Sequence, residues 1–156
     1  MGNRNFIATA VICAALAASG CTTAKIDSTK TTAITPVAQD ISASDLAIGK
    51  TQFRDANYGL AEKHFRKAVE QRADNAEAWM GLAASYDQLG RFDFADRAYD
   101  QLLNLAGRKP QVLNNMGYSH LLRGDRKKAR QLLLEARKGM ADPTVVNANL
   151  ALLNKS

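Results

Sequence analysis

The sequence predicts an all-α protein built from stacked helical hairpins, and three observations support this class. Residue types repeat at a spacing of 34, with alanine in one column and a large apolar residue four positions later. The two columns are Ala61, Ala95, Ala129 and Phe65, Tyr99, Leu133. Turn residues recur with the same spacing, and only three prolines occur in 156 residues. A period of this length is typical of stacked copies of one supersecondary unit, which present an extended surface to other chains.

The first residues have the layout of a secretory signal peptide. Arg4 precedes an apolar run over 6–18, which is too short to span a bilayer. The run Ala18-Ser19-Gly20-Cys21 resembles the bacterial lipoprotein cleavage box, although its first position is Ala where that family most often has Leu. The resemblance implies removal of residues 1–20 and attachment of acyl chains, palmitate among them, to Cys21. An ordinary secretory signal followed by a chance cysteine is the alternative.

Residues 21–41 are predicted to consist of the lipidated Cys21 and a flexible tether that follows it. This segment contains six threonines and one proline and shows no helical apolar period, so it cannot offset the entropy cost of ordering. Twenty residues of flexible chain reach about 25 Å. Because Thr22 rather than Asp follows the cysteine, resemblance to enterobacterial sorting implies the periplasmic face of the outer membrane.

Amphipathic periodicity predicts three helical hairpins and a final single helix from residue 42 onward. The predicted helices are 44–54, 58–72, 77–89, 92–105, 111–122, 126–140 and 144–153. Glycine ends several of them, and Asp125 is placed to cap the helix beginning at Arg126. The final helix, with Leu150, Leu152 and Leu153, is expected to cover the last hairpin.

The spacing of several residues resembles the tetratricopeptide repeat. The second copy carries the most matches, namely Trp79, Leu82, Tyr86, Gly90, Phe92, Ala95 and Tyr99. The resemblance implies a superhelical array over residues 42–153, with repeats at 42–75, 76–109 and 110–143 and a capping helix at 144–153. Ala73 and Gly107 replace the usual proline, and Arg126 replaces an aromatic residue, so looser turns are expected there. Trp79 occupies a packing position of the repeat and is expected in the core.

The same resemblance implies that partners bind in a concave groove lined by the first helix of each pair. The candidate groove residues combine apolar sockets, amides and charges: Lys50, Phe53, Arg54, Met80, Asp87, Asn114, Asn115, Tyr118, Leu121 and Asn149, with Glu77 and Ala84 also in the row. Asparagine side chains could bond the backbone of a bound peptide, and Phe53, Met80 and Tyr118 would contact its apolar side chains. Lys50 and Arg54 would bind an acidic group or a C-terminal carboxylate.

Charge and motifs exclude other classes of function. The net charge of +6 suits an acidic partner or an anionic lipid surface, and no aromatic platform indicates nucleic acid. Five basic residues lie between Arg123 and Arg130, which indicates either a solvated helix face, the preferred interpretation, or contact with lipid headgroups. His64 and His120 lie on different repeats, and no catalytic or phosphate-binding motif occurs. No enzyme, metal or cofactor is predicted.

The combination of a lipidated start and a short repeat array resembles the lipoprotein of tight-adherence (Flp/Tad) pilus assembly systems. The resemblance includes the third repeat, Asn114 to Gly117, and the segment Asn149 to Leu152. It implies a pilotin-like factor that binds an outer-membrane secretin. The alternatives are an adaptor that scaffolds cell-wall or other envelope-assembly enzymes, and an enzyme.

Overall fold

The computed structural model describes residues 40–154, which lie in one compact unit and form seven α-helices without strands. The helices are α1 Ala43–Arg54, α2 Tyr58–Gln71, α3 Ala76–Gln88, α4 Phe92–Ala106, α5 Pro110–Leu122, α6 Arg126–Gly139 and α7 Thr144–Leu152. Each predicted helix is present, with ends within one residue of the prediction. The all-α prediction is therefore confirmed. The signal peptide, Cys21 and nearly all of the predicted tether lie outside the described residues.

The 34-residue columns form the contacts between helices. The three column alanines are fully buried, and the large residues Phe65, Tyr99 and Leu133 are no more than 3% exposed. Alanine permits close approach of two helix backbones, and the large residue four positions later fills the adjoining space. The side chains of these columns therefore pack between the two helices of a repeat and against the neighbouring repeat.

Glycines in the first helices of two repeats allow the closest contacts within a hairpin. A Cβ atom on Gly49 would lie 2.8 Å from the Phe65 ring, and a Cβ on Gly117 would lie 2.7 Å from Leu133. Both distances are shorter than normal van der Waals contact. The absence of a side chain at these positions is therefore required for the packing of α1 on α2 and of α5 on α6.

The turn inside each hairpin uses the same backbone conformation. Ala56, Gly90 and Gly124, spaced by 34 residues, have φ values of 58°, 69° and 84°. In the first two turns the chain forms paired hydrogen bonds of the Schellman type, such as Asn57 N–H to Gln52 O at 2.9 Å. Glycine adopts this left-handed region readily and alanine does not, so the first turn carries strain that the others lack.

Helix starts agree with the capping prediction. The Asp125 side chain accepts the backbone N–H of Lys128, which confirms the expected cap of α6, and Asn75 accepts the N–H of Ala78 at α3. Asp40, at the end of the predicted tether, bonds Ser42 and pairs with Arg72. These polar contacts join the segment before α1 to the residue that follows α2.

Helix α7 covers the third repeat as expected, with one difference. Val146 and Leu153 are buried in a cluster with the α6 core residues, and Leu150 packs against them. Leu152 instead is 42% exposed. Trp79 is partly buried against the larger core cluster, and its Nε1–H donates to the Ala73 carbonyl at 2.8 Å. Within residues 40–154, no helix has the length and apolar character needed to cross a bilayer.

Candidate partner-binding groove

The first helices of the repeats and α7 line two adjoining cavities on one side of the array. One has a volume of about 320 Å³ between α1 and α3, and the other about 490 Å³ extends past α5 to α7. Phe53, Ala84 and Asn115 line both cavities. The two cavities therefore form one groove that crosses the helices.

The smaller cavity has an apolar floor and a charged rim. Met80 and Phe53 provide apolar surface, and the Phe53 ring packs edge-on against Tyr58 with centroids 5.3 Å apart. At the rim, Lys50 Nζ lies 2.6 Å from the Glu77 carboxylate, with both side chains more than half exposed. An exposed pair of this kind contributes little stability, so either partner is available to a ligand charge at small cost.

Asparagine side chains of α5 and α7 line the larger cavity, and one of them reaches Met80 of α3. Asn149 Nδ2 donates to Asn114 Oδ1 at 2.9 Å, and Asn114 Nδ2 donates to Asn115 Oδ1 at 3.2 Å. Asn115 Nδ2 in turn contacts Met80 Sδ at 2.8 Å, and sulfur is a weak acceptor. Asn114 is buried, whereas Asn115 and Asn149 are partly exposed. Asn115 therefore has the amide that can exchange its weak internal contact for a peptide carbonyl.

A buried carboxylate forms the base of the larger cavity. Asp87 is 4% exposed and accepts hydrogen bonds from the Tyr99 hydroxyl at 2.8 Å and the Ser119 hydroxyl at 2.6 Å. Burial raises the pKa of the Asp87 carboxyl, while the two hydroxyl donors and Arg123 oppose that rise. Because the three residues belong to α3, α4 and α5, this network fixes the spacing of the second and third repeats.

Arg123 supports the same junction from the turn after α5. Its guanidinium makes two bonds of 2.8 Å to Asp96 and stacks 4.9 Å above the Phe92 ring. Hydrogen bonding to Arg123 lowers the pKa of the Asp96 carboxyl. Arg123 is therefore committed to internal contacts.

Nine of the ten candidate groove residues line the two cavities, and Leu121 packs instead against the α6 cluster. Six further lining residues were not predicted from the sequence: Phe65, Gly81, Gln88, Tyr99, Val145 and Leu152. Val145, Asn149 and Leu152 are spaced by four and three positions on α7, so the helical period that selected Asn149 also indicates its neighbours. No cluster of His, Cys, Asp or Glu suited to a metal occurs in the described part.

Comparisons with known proteins agree with this architecture. The family model for the tetratricopeptide repeat matches residues 52–114. The cytochrome c-type biogenesis protein CycH of Pseudomonas aeruginosa is 31% identical over 109 residues, 67% of this chain. The chain spans only 26% of the length of that curated relative.

Solved structures show the same helical arrangement. PilF of Pseudomonas aeruginosa superposes with a TM-score of 0.64 at 27% identity, covering 72% of this chain and 52% of that one. SycD of Yersinia enterocolitica, a type III secretion chaperone solved with a peptide of the translocator YopD, gives 0.60 at 19% identity, covering 71% and 90%. The described part of the chain is therefore a tetratricopeptide-type helical repeat array.

Proposed function

We propose that the protein binds a segment of another protein in the groove defined above. The observation that carries this proposal is the continuity of the two cavities through Phe53, Ala84 and Asn115. The fold supports it, because tetratricopeptide arrays generally act as scaffolds or adaptors, and SycD, with the same fold, was solved holding a peptide. The absence of enzymatic activity remains a prediction.

The groove chemistry defines the expected ligand. Apolar side chains of the guest segment would contact Phe53 and Met80, and its backbone carbonyls would accept the Asn115 amide. A charged guest residue would exchange with one member of the Lys50–Glu77 pair. The favoured ligand is an extended or helical segment with apolar residues on one face and a charge near one end.

We further propose that the protein is a lipoprotein anchored through Cys21 at the periplasmic face of the outer membrane, where it acts as a pilotin-like assembly factor for a Flp/Tad pilus secretin. Support comes from the cleavage box Ala18 to Cys21 and from the two short segments that resemble the tight-adherence lipoprotein. In this proposal the lipid determines the location and the groove selects the partner.

Site-specific photocrosslinking in cells tests the proposal. A photoreactive residue at position 115 or 118 is expected to capture a secretin segment, identified by mass spectrometry. The matched control carries the photoreactive residue at position 63, on the exposed surface of α2. Equal capture from position 63, or no capture from the groove positions, would overturn groove binding.

Deletion of the gene tests the assigned partner separately. Loss of secretin multimers and pili is the expected result, restored by the wild-type chain. Normal multimers after deletion would reject the secretin assignment. Capture of a peptidoglycan hydrolase from position 115 would instead support an adaptor for cell-wall enzymes.

A further inference from the structure

Helix α6 carries a concentration of positive charge that the repeat architecture does not require. It contains six basic residues and one acidic residue, an excess of five, whereas the whole chain has a net charge of +6. The equivalent helix of the second repeat, α4, contains three acidic residues and one basic residue. The equivalent helix α4 therefore packs in the same way with a net negative charge. Folding alone does not explain why α6 is basic.

The basic residues of α6 form a continuous stripe opposite its buried face. Lys127, Arg130, Arg137 and Lys138 are exposed and follow the three- and four-residue spacing of one helix face, with partly buried Leu134 between them. The buried residues Ala129, Leu132, Leu133 and Ala136 occupy the other side. The stripe extends over about 16 Å, from the rise of 1.5 Å per residue.

Internal contacts leave the charge of this stripe uncompensated. Glu135, the one carboxylate of α6, is engaged by Arg108 at 2.7 Å. Arg130 bonds the neutral Asn154 side chain at 3.1 Å. Lys127, Arg137 and Lys138 form no salt bridge within residues 40–154. Hydrogen bonding to Arg108 lowers the pKa of the Glu135 carboxyl, and Lys138 is near enough to add to this effect. Because Glu135 is already paired with Arg108, the stripe keeps a net positive charge.

Helix stability does not explain the first part of the stripe. Lys127 stands in the first turn of α6, which contains no acidic residue, and the helix dipole disfavours cations at that end. A residue that costs the helix some stability at an exposed position points to a role outside the fold.

We propose that this stripe, Lys127, Arg130, Arg137 and Lys138, docks the repeat domain against an anionic phospholipid surface. A straight row of long, flexible cations on the exposed side of one helix suits a flat sheet of phosphate groups. An acidic protein segment would fit a pocketed surface better, and single-stranded nucleic acid binds by stacking its bases on aromatic side chains, which α6 lacks. The inference draws on the membrane location proposed above. Docking would orient the domain, whereas a lipid anchor alone leaves it free to turn.

Vesicle sedimentation with the full chain carrying Cys21→Ser tests this without any contribution from lipidation. Vesicles of phosphatidylcholine with about one third phosphatidylglycerol are compared with pure phosphatidylcholine. The double variant Lys127→Gln with Lys138→Gln is expected to lose preference for the anionic vesicles about tenfold, since each cation near the surface contributes several-fold to affinity. The matched control, Lys63→Gln with Lys67→Gln on α2, removes the same charge and is expected to retain the preference.

Three outcomes would overturn the proposal. Equal losses in both double variants would assign the effect to diffuse net charge, and an absence of preference in the unsubstituted chain would remove the effect altogether. Retained vesicle binding with reduced binding of polyglutamate would assign the stripe to an acidic protein. Circular dichroism melts of both variants establish that each is folded. Because the groove is unchanged, photocrosslinking from position 115 reports independently on the proposed function.

Discussion

Replacement of Ala56 by glycine is expected to stabilise the protein, because Ala56 is held at a φ of 58° in the turn between α1 and α2. The left-handed conformation costs an alanine about 1–2 kcal/mol. Glycine removes that cost but adds freedom to the unfolded chain, which lowers stability by about 0.4–1 kcal/mol. The net gain is about 0.5–1 kcal/mol in the free energy of unfolding, a rise of roughly 4 °C in Tm.

The other two turns supply matched controls with the opposite sign. Gly90 and Gly124 have positive φ values, and a Cβ atom added at either position would meet no atom within 4 Å. Gly90→Ala and Gly124→Ala therefore test backbone conformation alone, and each is expected to lower stability by about 1 kcal/mol. Thermal and urea unfolding measure all three variants. A destabilised Ala56→Gly variant, or glycine-to-alanine variants as stable as wild type, would refute this reasoning.

Four further variants test the packing, the buried polar network and the pH dependence of stability. Gly117→Ala is expected to lower the free energy of unfolding by about 1–3 kcal/mol, measured with urea, because its Cβ would lie 2.7 Å from Leu133. The control Gly59→Ala, whose Cβ would meet no atom within 4 Å, should be neutral or stabilising. Equal effects of the two substitutions would contradict the packing argument. Tyr99→Phe removes a hydroxyl that donates to buried Asp87 and should lower stability at pH 7 by about 1–3 kcal/mol; an unchanged midpoint would show that the bond contributes little. Burial, with nearby Arg123, lowers the pKa of His120 in the folded protein. The unfolded chain therefore binds a proton at His120 more tightly than the folded chain does. The free energy of unfolding should fall as the pH drops below about 6.5, the ordinary pKa of histidine. His120→Gln should remove this component of the pH profile measured between pH 5 and 7.5, and an identical profile would exclude His120 as its source.

The helices and their order follow from the sequence because the information is local. A 34-residue period, glycines at the turns and an aspartate before α6 fix the bounds of each helix within a residue. The repeated alanine and large-residue columns also specify which faces meet, so the core could be predicted without long-range contacts. Ala56 shows the limit of this reasoning: its position in the turn is clear from the period, whereas its strain is visible only in its φ value.

The groove was less completely predictable because its side chains bond one another across repeats. The repeat register placed Asn114, Asn115 and Asn149 on the same side, but the hydrogen bond from Asn149 to Asn114 depends on how α7 packs against α5. Asp87 lies in the larger cavity as expected, but its carboxylate accepts hydrogen bonds from Tyr99 and Ser119, which the sequence did not indicate. These hydrogen bonds join residues 12 and 32 positions apart on different helices, and the repeat period predicts where each residue lies but not which side chains bond one another.

Substitution at Ala84 tests groove binding most directly, because Ala84 lines both cavities at their junction. The measurement is the affinity of the purified chain for the segment captured from position 115, by isothermal titration calorimetry. Ala84→Arg is predicted to weaken binding at least about tenfold, or ~1.4 kcal/mol, with a Tm close to wild type. Wild-type affinity in a folded Ala84→Arg variant would contradict the account.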